Sequence, residues 1–557
     1  MTDDLDGRLN RRSFLGASVA GAIAARYSFD GTSASPPIAA TEPTAQVPVF
    51  AFDEATIDDL QSKMRAGTES AASLTKVYLG RIDAIDQRGP AINSVIELNP
   101  DAESIALQLD AERKSGKVRG PLHGIPVLIK DNIDTADHMH TTAGSLALAD
   151  NIAARDSFVA ERLRAAGAVI IGKTNLSEWA NFRSTHSTSG WSGRGGQTHN
   201  PYALNRTPSG SSSGSGAATA ANCCVVAVGT ETDGSVTSPA AAAALVGIKP
   251  TLGLISRAGI IPIAHSQDTA GPMARTVRDA AILLGVLTGV DPRDAETRAS
   301  TGHALTDYTK SLDRDGLRGA RIGVARKHYT GYSIETDKLL ENAIALMKQH
   351  GAVIVDPADI ETAGQTDDSE LDLLFYEFKT DLNAYLSQLK PNVTVRSLAD
   401  VIAFNTKNAS RELRFFGQEI MEQSQKKGPL TEKKYRGELA KNRLLMRDKG
   451  IDATMTKFKL DALVAPTQGP AGLIDLVNGD GGGGGSFTAP AAVAGYPHIT
   501  VPMGFVRGLP VGISFVGRAW SEATLLKLAY GFEQAGPARR KPTFAPTVEL
   551  GDTRRGM

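Results

Sequence analysis

The sequence predicts an α/β fold in which a single large domain holds a mixed β-sheet with helices on both faces. A chain of 557 residues is long enough to bury one large core. Short apolar runs rich in valine and isoleucine alternate along it with longer amphipathic segments. Strands interleaved with helices favour a helix-covered sheet that is mixed or mostly parallel.

The expected elements follow from these patterns in chain order. Short apolar runs are typical of buried strands, and longer segments with apolar residues three or four positions apart are typical of helices. Strands are expected at residues 124–130, 168–175, 224–230, 321–325, 352–356, 460–467 and 498–505. Helices are expected at residues 55–85, 101–115, 157–166, 217–221, 334–350 and 521–534.

Residues 369–449 differ in character from the rest of the domain. They are charged and helical in pattern, with breaks at Pro391 and Pro429. We expect a helical excursion from the main sheet layer there. The domain as a whole is expected to span residues 47–557.

The first 46 residues are predicted to be an export signal and a disordered spacer. Arg11 and Arg12 precede Phe14-Leu15 and a weakly apolar run to Ala25, followed by a spacer rich in Ser, Pro, Ala and Thr. This pattern is typical of a twin-arginine (Tat) signal, which predicts the Tat export machinery as a partner and a periplasmic or extracellular location in a bacterium. The apolar run is too short to form a permanent membrane span.

Charge and cysteine content exclude several classes of function. The 60 Lys and Arg residues are matched by 61 Asp and Glu residues, which leaves no basic footprint for nucleic acid. The only cysteines, Cys223 and Cys224, are adjacent inside an apolar run. Neighbouring cysteines cannot build a disulfide framework or a metal site by themselves, so we expect both to be buried as small hydrophobic residues.

Three residues suggest a hydrolytic site. Lys130 ends the apolar run 125–129, and two loops rich in small residues, SGSSSGSG at 209–216 and GTETDGS at 229–235, carry Ser211 and Ser235. A serine that attacks an amide needs a base, and a lysine can serve only when it is neutral. Burial at the end of an apolar strand favours the neutral amine, although Asp131 and Asp134 oppose this unless they point elsewhere.

These residues define a scheme that requires no metal and no organic cofactor. Ser235 is the expected nucleophile, Lys130 the base, and Ser211 the group that passes the proton between them. The turn formed by Thr232, Asp233, Gly234 and Ser235 is expected to direct backbone N–H groups at the oxyanion, at about 3 kcal/mol per donor. The alternative is that these residues are structural, with Lys130 in a salt bridge at the end of its strand and the two serines in ordinary turns.

Two other motifs suggest different functions. Residues 167–174 fit the phosphate-loop pattern GxxxxGK[ST] of nucleotide-binding proteins, but the intervening residues are themselves the predicted strand. Residues 210–214 fit GxSxG, the nucleophile elbow of α/β-hydrolase esterases, with Ser212 as nucleophile and a downstream histidine such as His265 as base. An elbow needs a buried strand before it, whereas residues 200–208 are polar and contain two prolines.

The aromatic and histidine residues carry weaker predictions. Trp179 and Trp191 are candidates for lining a substrate cleft, although a loop tryptophan more often packs in a core. His199, His265 and His498 are expected to be structural.

A series of sequence blocks resembles the amidase signature family. In order, they are KDNIDT, AGAVIIGKTNLSEWA, SGSSSGSGAA, GTETDGS, the segment from GIKPTLG to MARTVRDAA, and AVAGYPHITVPMG, and the resemblance covers residues 55–534. The resemblance implies an α/β amidase whose catalytic lysine is Lys130, bridging serine Ser211 and nucleophile Ser235. It also implies a cis peptide bond between Gly210 and Ser211.

Departures from the common family pattern indicate the substrate. Ser209 and Ser213 replace glycines found in most members, and Thr237 stands where many members have an arginine that binds a carboxylate. These changes resemble the branch of bacterial peptide amidases, which implies a peptide amide substrate, hydrolysed at its C-terminal amide to peptide acid and ammonia. The alternative within the family is a small-molecule substrate, an aliphatic or aryl amide. The tRNA-dependent amidotransferase subunit shares the fold, but the export signal argues against it.

Overall fold

A mixed β-sheet of eleven strands runs through the part of the chain that the structure describes. The structure, a computed structural model, describes residues 47–481 and 484–548. The predicted export signal in residues 1–46 therefore lies outside the described residues. Within the described ranges, no helix is both long enough and apolar enough to cross a membrane.

The strands of the main sheet run in both directions. In chain order, the strands are β1 Val95–Leu98, β2 Pro126–Lys130, β3 Val169–Thr174, β4 Trp191–Ser192, β5 Gly196–Gln197, β6 Val226–Glu231, β7 Val246–Lys249, β8 Thr269–Ala274, β9 Arg321–Val324, β10 Val353–Val355, β11 Ala462–Pro466, β12 His498–Val506 and β13 Leu509–Val516. The main sheet has the order β1-β3-β2-β6-β8-β7-β12-β13-β11-β9-β10, and β4 and β5 form a separate pair. Strands β3, β2 and β6 are parallel, whereas β6, β8, β7, β12 and β13 pair antiparallel, so the predicted mixed sheet is confirmed.

Sixteen α-helices accompany the sheet in the described residues. They are α1 Ile57–Ala66, α2 Ala71–Ile82, α3 Ala102–Lys114, α4 Phe158–Ala165, α5 Ser213–Ala220, α6 Thr237–Ala242, α7 Val277–Leu287, α8 Ile334–Gln349, α9 Asp367–Ser387, α10 Leu398–Lys407, α11 Ala409–Glu412, α12 Glu419–Gln425, α13 Lys433–Arg443, α14 Asp452–Phe458, α15 Ala489–Ala494 and α16 Glu522–Ala535. Two π-helical segments, Asp83–Gln87 and Leu444–Ile451, continue α2 and α13.

The helical region predicted at residues 55–85 is two helices. Gly67 ends α1 in the left-handed conformation, with φ of 73°, which a glycine adopts without a steric penalty. Ser70 then begins α2 by accepting a hydrogen bond from the backbone N–H of Ser73. The amphipathic pattern continues through the break, which explains why it predicts one element.

Both faces of the sheet are covered. Every residue of β2, β3, β6, β7, β8, β11 and β13 is buried, which requires packed layers on each side of the sheet. Helix α6 contacts β7, β12 and β13, while α7 contacts β6, β7 and β8.

The helical excursion is confirmed and has a core of its own. It comprises α9 to α13, with breaks near Pro391 and Pro429 as predicted. Phe378, Leu382 and Ile420 are fully buried in its hydrophobic cluster. Phe182 and Ile263 belong to the same cluster, so the excursion packs on loops that surround the candidate site.

Candidate active site

The candidate site lies where the carboxyl ends of two parallel strands meet. Strands β2 and β6 are parallel, and the register of Ile129 with Val228 brings the end of β2 beside Thr230. Residues 232–236 then connect β6 to α6, and residues 209–212 lead into α5. Loops at this edge of an α/β sheet are the usual location of binding and catalytic residues.

Lys130 is fully buried and has three hydrogen-bonding neighbours. Its Nζ lies 2.8 Å from Ser211 Oγ, 2.9 Å from Thr230 Oγ1 and 3.3 Å from the Thr230 carbonyl oxygen. A neutral amine has two N–H donors and one lone pair. The two Thr230 acceptors and the Ser211 hydroxyl match that set, because the hydroxyl can donate to the lone pair.

Burial also sets the protonation of this lysine. Desolvation lowers the pKa of Lys130 from its ordinary value of 10.5 to about 7, and the negative charges of Asp268 and Glu231 oppose this only in part. Near neutral pH a large fraction of the molecules therefore carries a neutral amine at this position. A base with a pKa near the working pH is the most effective general base.

The two aspartates that follow Lys130 point away from it. Asp131 accepts hydrogen bonds from the side chain and backbone of Thr142, and it lies 3.6 Å from Arg194. Asp134 accepts a hydrogen bond of 2.9 Å from the Tyr385 hydroxyl. Each carboxylate is thus bonded to other groups. This meets the condition for a neutral lysine, which required Asp131 and Asp134 to point away from Lys130.

The two serine loops are in direct contact. The peptide bond between Gly210 and Ser211 is cis, as the family resemblance implies. The backbone N–H of Ser212 donates to the carbonyl of Ser235 over 3.1 Å, which ties one loop to the other. A Cβ at Gly210 would lie 2.4 Å from Ser177 Oγ, so this close approach requires glycine.

Two carboxylates, the buried Glu231 and the half-buried Asp268, fix the turn that holds Ser235. Glu231 accepts hydrogen bonds from the backbone N–H groups of Val236 and Thr237, at 2.8 and 2.9 Å. Asp268 accepts one of 2.6 Å from Thr232 Oγ1. These contacts hold both ends of the turn without using its central N–H groups.

The centre of the turn presents free donors. Gly234 has φ of 80°, a conformation that side chains rarely adopt. In the described residues, the backbone N–H groups of Gly234 and Ser235 donate to no protein acceptor. Ser235 Oγ likewise takes part in none of the side-chain hydrogen bonds found in residues 47–481 and 484–548. Two N–H donors next to an uncommitted hydroxyl are the components of an oxyanion site.

A cavity of about 320 Å³ opens onto Ser235. Its lining includes Thr232 and Gly210 from the serine loops, and the apolar side chains of Phe182 and Leu374. The lining therefore combines polar groups with apolar side chains, as in most pockets for organic ligands.

The prediction that Trp179 and Trp191 line this cleft does not hold in the structure. Both rings are buried, and neither residue lies in the lining of the cavity. Trp191 packs edge-to-face on Phe415 and Phe416, and Trp179 belongs to the core under the helical excursion. Sequence cannot distinguish an aromatic ring that faces a cleft from one that packs beside it.

The competing motifs are structural. Ser212 is buried, and its Oγ donates to the Thr230 carbonyl and accepts from the Thr230 N–H, each at 3.1 Å. His265 pairs instead with Asp381, at 2.8 Å. Lys173 lies inside β3, where its Nζ donates to the carbonyl of Ile133. Neither an esterase elbow nor a phosphate loop is formed.

The other two histidines that were expected to be structural, and both cysteines, are held within the fold. His498 is buried with Nε2 2.6 Å from Ser514 Oγ, and His199 Nδ1 lies 2.7 Å from the carbonyl oxygen of Leu204. Cys223 and Cys224 are free and buried, as predicted.

Sequence reasoning missed three residues that support the site. Thr230 contacts the lysine, and Glu231 and Asp268 hold the nucleophile turn. The sequence did contain a signal for these residues, because Thr230 and Glu231 lie within the GTETDGS block and Asp268 lies within SQDTAGP. Their roles depend on a three-dimensional arrangement that the blocks alone do not reveal.

Comparisons with known proteins show which family the chain resembles. The family model described as Amidase matches residues 73–526. A probable amidase of Arabidopsis thaliana is 42% identical over 504 residues, covering 89% of this chain and 92% of the relative. The crystal structure of the native peptide amidase from Stenotrophomonas maltophilia superposes with a TM-score of 0.85 at 49% identity, over 89% of this chain and 100% of that one.

A more distant relative is a component of a different enzyme. A glutamyl-tRNA(Gln) amidotransferase subunit of Carboxydothermus hydrogenoformans is 33% identical, covering 86% of this chain and 96% of the relative. The family model spans most of the chain, and both nearer relatives are amidases by name. The chain therefore belongs to the amidase signature family and is an amide-hydrolysing enzyme.

Proposed function

We propose that this enzyme removes the C-terminal amide of peptides and releases a peptide acid and ammonia. The observation that carries the proposal is the fully buried Lys130, 2.8 Å from Ser211 and adjacent to the loop of Ser235 at the end of a cavity. The similarity to a peptide amidase at 49% identity favours peptide amides over small aliphatic or aryl amides.

The first half of the reaction forms an acyl-enzyme. Ser235 Oγ attacks the amide carbon while its proton passes to Ser211, and the Ser211 proton passes to the neutral amine of Lys130. The N–H groups of Gly234 and Ser235 stabilise the negative oxygen of the tetrahedral intermediate. The C–N bond then breaks, and the proton returns through Ser211 to the departing nitrogen, which leaves as ammonia.

The second half repeats the sequence with water. A water molecule gives its proton to Ser211 and Lys130 as its oxygen attacks the ester carbon of acyl-Ser235. The ester bond breaks, the proton returns to Ser235 Oγ, and the peptide acid leaves. Each proton taken up by Lys130 is thus returned within the same half-reaction.

The residue at position 237, just after the nucleophile loop, supports an uncharged amide at the C-terminal end of the substrate. Thr237 Oγ1 donates to the buried carboxylate of Glu231 over 3.1 Å, so this side chain is committed to the protein. An arginine that would bind a substrate carboxylate is absent at this position. We expect internal peptide bonds to be spared, because a chain beyond the scissile nitrogen needs more room than an NH₂ group.

Ammonia release from a defined panel tests the proposal. The panel contains amidated peptides, the same peptides as free acids, small aliphatic amides and aryl anilides. Amidated peptides should release ammonia and gain about one mass unit per turnover, with no internal fragments. Cleavage inside the free-acid peptides, or activity confined to the small amides, would reject peptide amides as the substrate.

A further inference from the structure

All the formally charged side chains that line the cavity at Ser235 are acidic in the described residues. They are Asp233, Asp367, Glu370 and Asp480. No lysine, arginine or histidine lines the cavity in residues 47–481 and 484–548. The described lining therefore holds acidic side chains and no basic ones.

Two of these carboxylates come from the first turn of α9. Asp367 is half-buried and Glu370 is buried, with 3% of its surface exposed. Glu370 accepts a hydrogen bond of 3.0 Å from Gln267 Nε2. Gln267 is a neutral amide, so this hydrogen bond orients the carboxylate and brings no positive charge to it. The N-terminus of α9 offsets about half of one negative charge, which is less than the two carboxylates carry when ionised.

The other two carboxylates belong to separate segments. Asp233 is in the turn of the nucleophile, two positions before Ser235. Asp480 accepts hydrogen bonds from the backbone N–H of Ser189, at 3.1 Å to each oxygen. Three unrelated segments thus place acidic groups around one cavity, and a cleft of this kind concentrates ligands of the opposite charge.

We propose that the enzyme selects amide substrates that carry a positive charge, an ammonium or guanidinium group on the acyl side of the scissile bond. This inference rests on the proposed hydrolysis of peptide amides and adds the class of peptide. Two parts of a peptide supply such a group, a free N-terminal ammonium or a basic side chain. A cation in the cavity gains the attraction of carboxylates in a partly desolvated site, whereas an anionic peptide is repelled.

A matched set of dipeptide amides separates the two sources. The set is acetyl-Ala-Ala-amide, Ala-Ala-amide with a free N-terminus, acetyl-Lys-Ala-amide and acetyl-Glu-Ala-amide. Ammonia release should give a kcat/KM about tenfold higher for at least one cationic substrate than for the neutral one, and lowest for the acidic one. The cationic substrate that gains identifies the source, and the gain should shrink with added salt.

Conservative variants test the role of the two carboxylates that α9 contributes to the cavity. Glu370→Gln keeps the shape and the acceptor for Gln267 but removes the charge, and Asp367→Asn does the same at the neighbouring position. Each should lower the cationic-to-neutral ratio of kcat/KM about threefold to tenfold. Asp368→Asn is the control, because Asp368 is in the same helical turn but is exposed and does not line the cavity.

The outcomes distinguish this inference from the proposed function. If neutral and cationic amides react equally well, or if neither charge-removing variant changes the ratio more than Asp368→Asn does, the charge selection is wrong while peptide amide hydrolysis stands. If no peptide amide releases ammonia, the proposed function fails and the inference fails with it.

Discussion

Replacing Lys130 with methionine tests whether the buried lysine is held in the neutral state that the mechanism needs. Methionine has nearly the same length and volume but no amine. The ordinary pKa of lysine is 10.5, and burial holds that of Lys130 at about 7. At pH 7 the lysine of the unfolded chain is charged and exposed to water. In the folded chain this position is buried, so the protein must either bury the charged ammonium or release its proton.

The size of the effect follows from the two pKa values. A difference of about 3.5 means that burying this lysine costs about 4 kcal/mol of stability at pH 7. The methionine variant avoids this cost but leaves the Ser211 hydroxyl without its partner, at about 1–3 kcal/mol, while Thr230 Oγ1 keeps its hydrogen bond from Asn132. Lys130→Met should therefore be inactive and yet more stable than the wild type at pH 7, by about 1–3 kcal/mol.

The pH dependence gives a sharper test than the absolute value. Between pH 7 and 10.5 the unfolded chain binds a proton at this lysine that the folded chain has lost, so wild-type stability rises with pH in this window. The advantage of the variant should shrink by about 2 kcal/mol between pH 7 and pH 9.

Urea unfolding at several pH values measures this difference. Lys348→Met is the matched control, because Lys348 is exposed on α8 and its loss should change stability equally at both pH values. A difference between wild type and Lys130→Met that stays constant from pH 7 to pH 9 would refute the reasoning. It would mean that Lys130 is charged throughout and cannot act as a base.

Three further outcomes are expected. The kcat/KM for a peptide amide should fall about tenfold per pH unit below pH 7, because protonation removes the neutral amine of Lys130, and a pH–rate profile flat down to pH 5 would contradict this. Ser211→Ala should lower kcat by about 10²- to 10⁴-fold, because water can partly replace the hydroxyl. This loss should be smaller than the loss caused by replacing Lys130, and stopped-time ammonia assays that show an equal or larger loss would contradict the prediction. Replacing Arg11 and Arg12 with lysine should keep the protein in the cytoplasm of an expressing bacterium, and unchanged export on fractionation would reject the Tat prediction.

The sequence predicted the buried strands that are dense in branched apolar residues. β2, β3 and β6 read as valine and isoleucine runs, and each forms where expected. Four strands of the main sheet, β1, β7, β8 and β13, were not predicted. β8 shows why, because its sequence TAGPMA contains Gly271 and Pro272 and resembles a loop. A Cβ at Gly271 would lie 2.0 Å from the carbonyl oxygen of Ile248, so the close packing of β7 on β8 requires the glycine.

The candidate site was predictable to the extent that its residues lie in ordered blocks. The structure brings Lys130 and Ser211 into contact, and it places Ser235 in the adjacent loop. For the pKa of Lys130, the sequence predicted only that burial lowers it. The size of the shift could not be predicted, because the positions of Asp131 and Asp134 depend on partners distant in sequence. The packing of the helical excursion against loops around the site, with Asp367 and Glu370 of α9 in the lining of the cavity, is likewise a tertiary effect.

The most direct test of the central claim compares Ser235→Ala with Ser212→Ala in ammonia release from an amidated peptide. Ser235 faces the cavity, whereas Ser212 is buried with its hydroxyl bonded to the backbone of Thr230. Ser235→Ala should lose at least about 10⁴-fold in kcat while its circular dichroism and unfolding curve stay close to those of the wild type. Ser212→Ala should retain measurable turnover. An active Ser235→Ala together with a dead, folded Ser212→Ala would contradict the account.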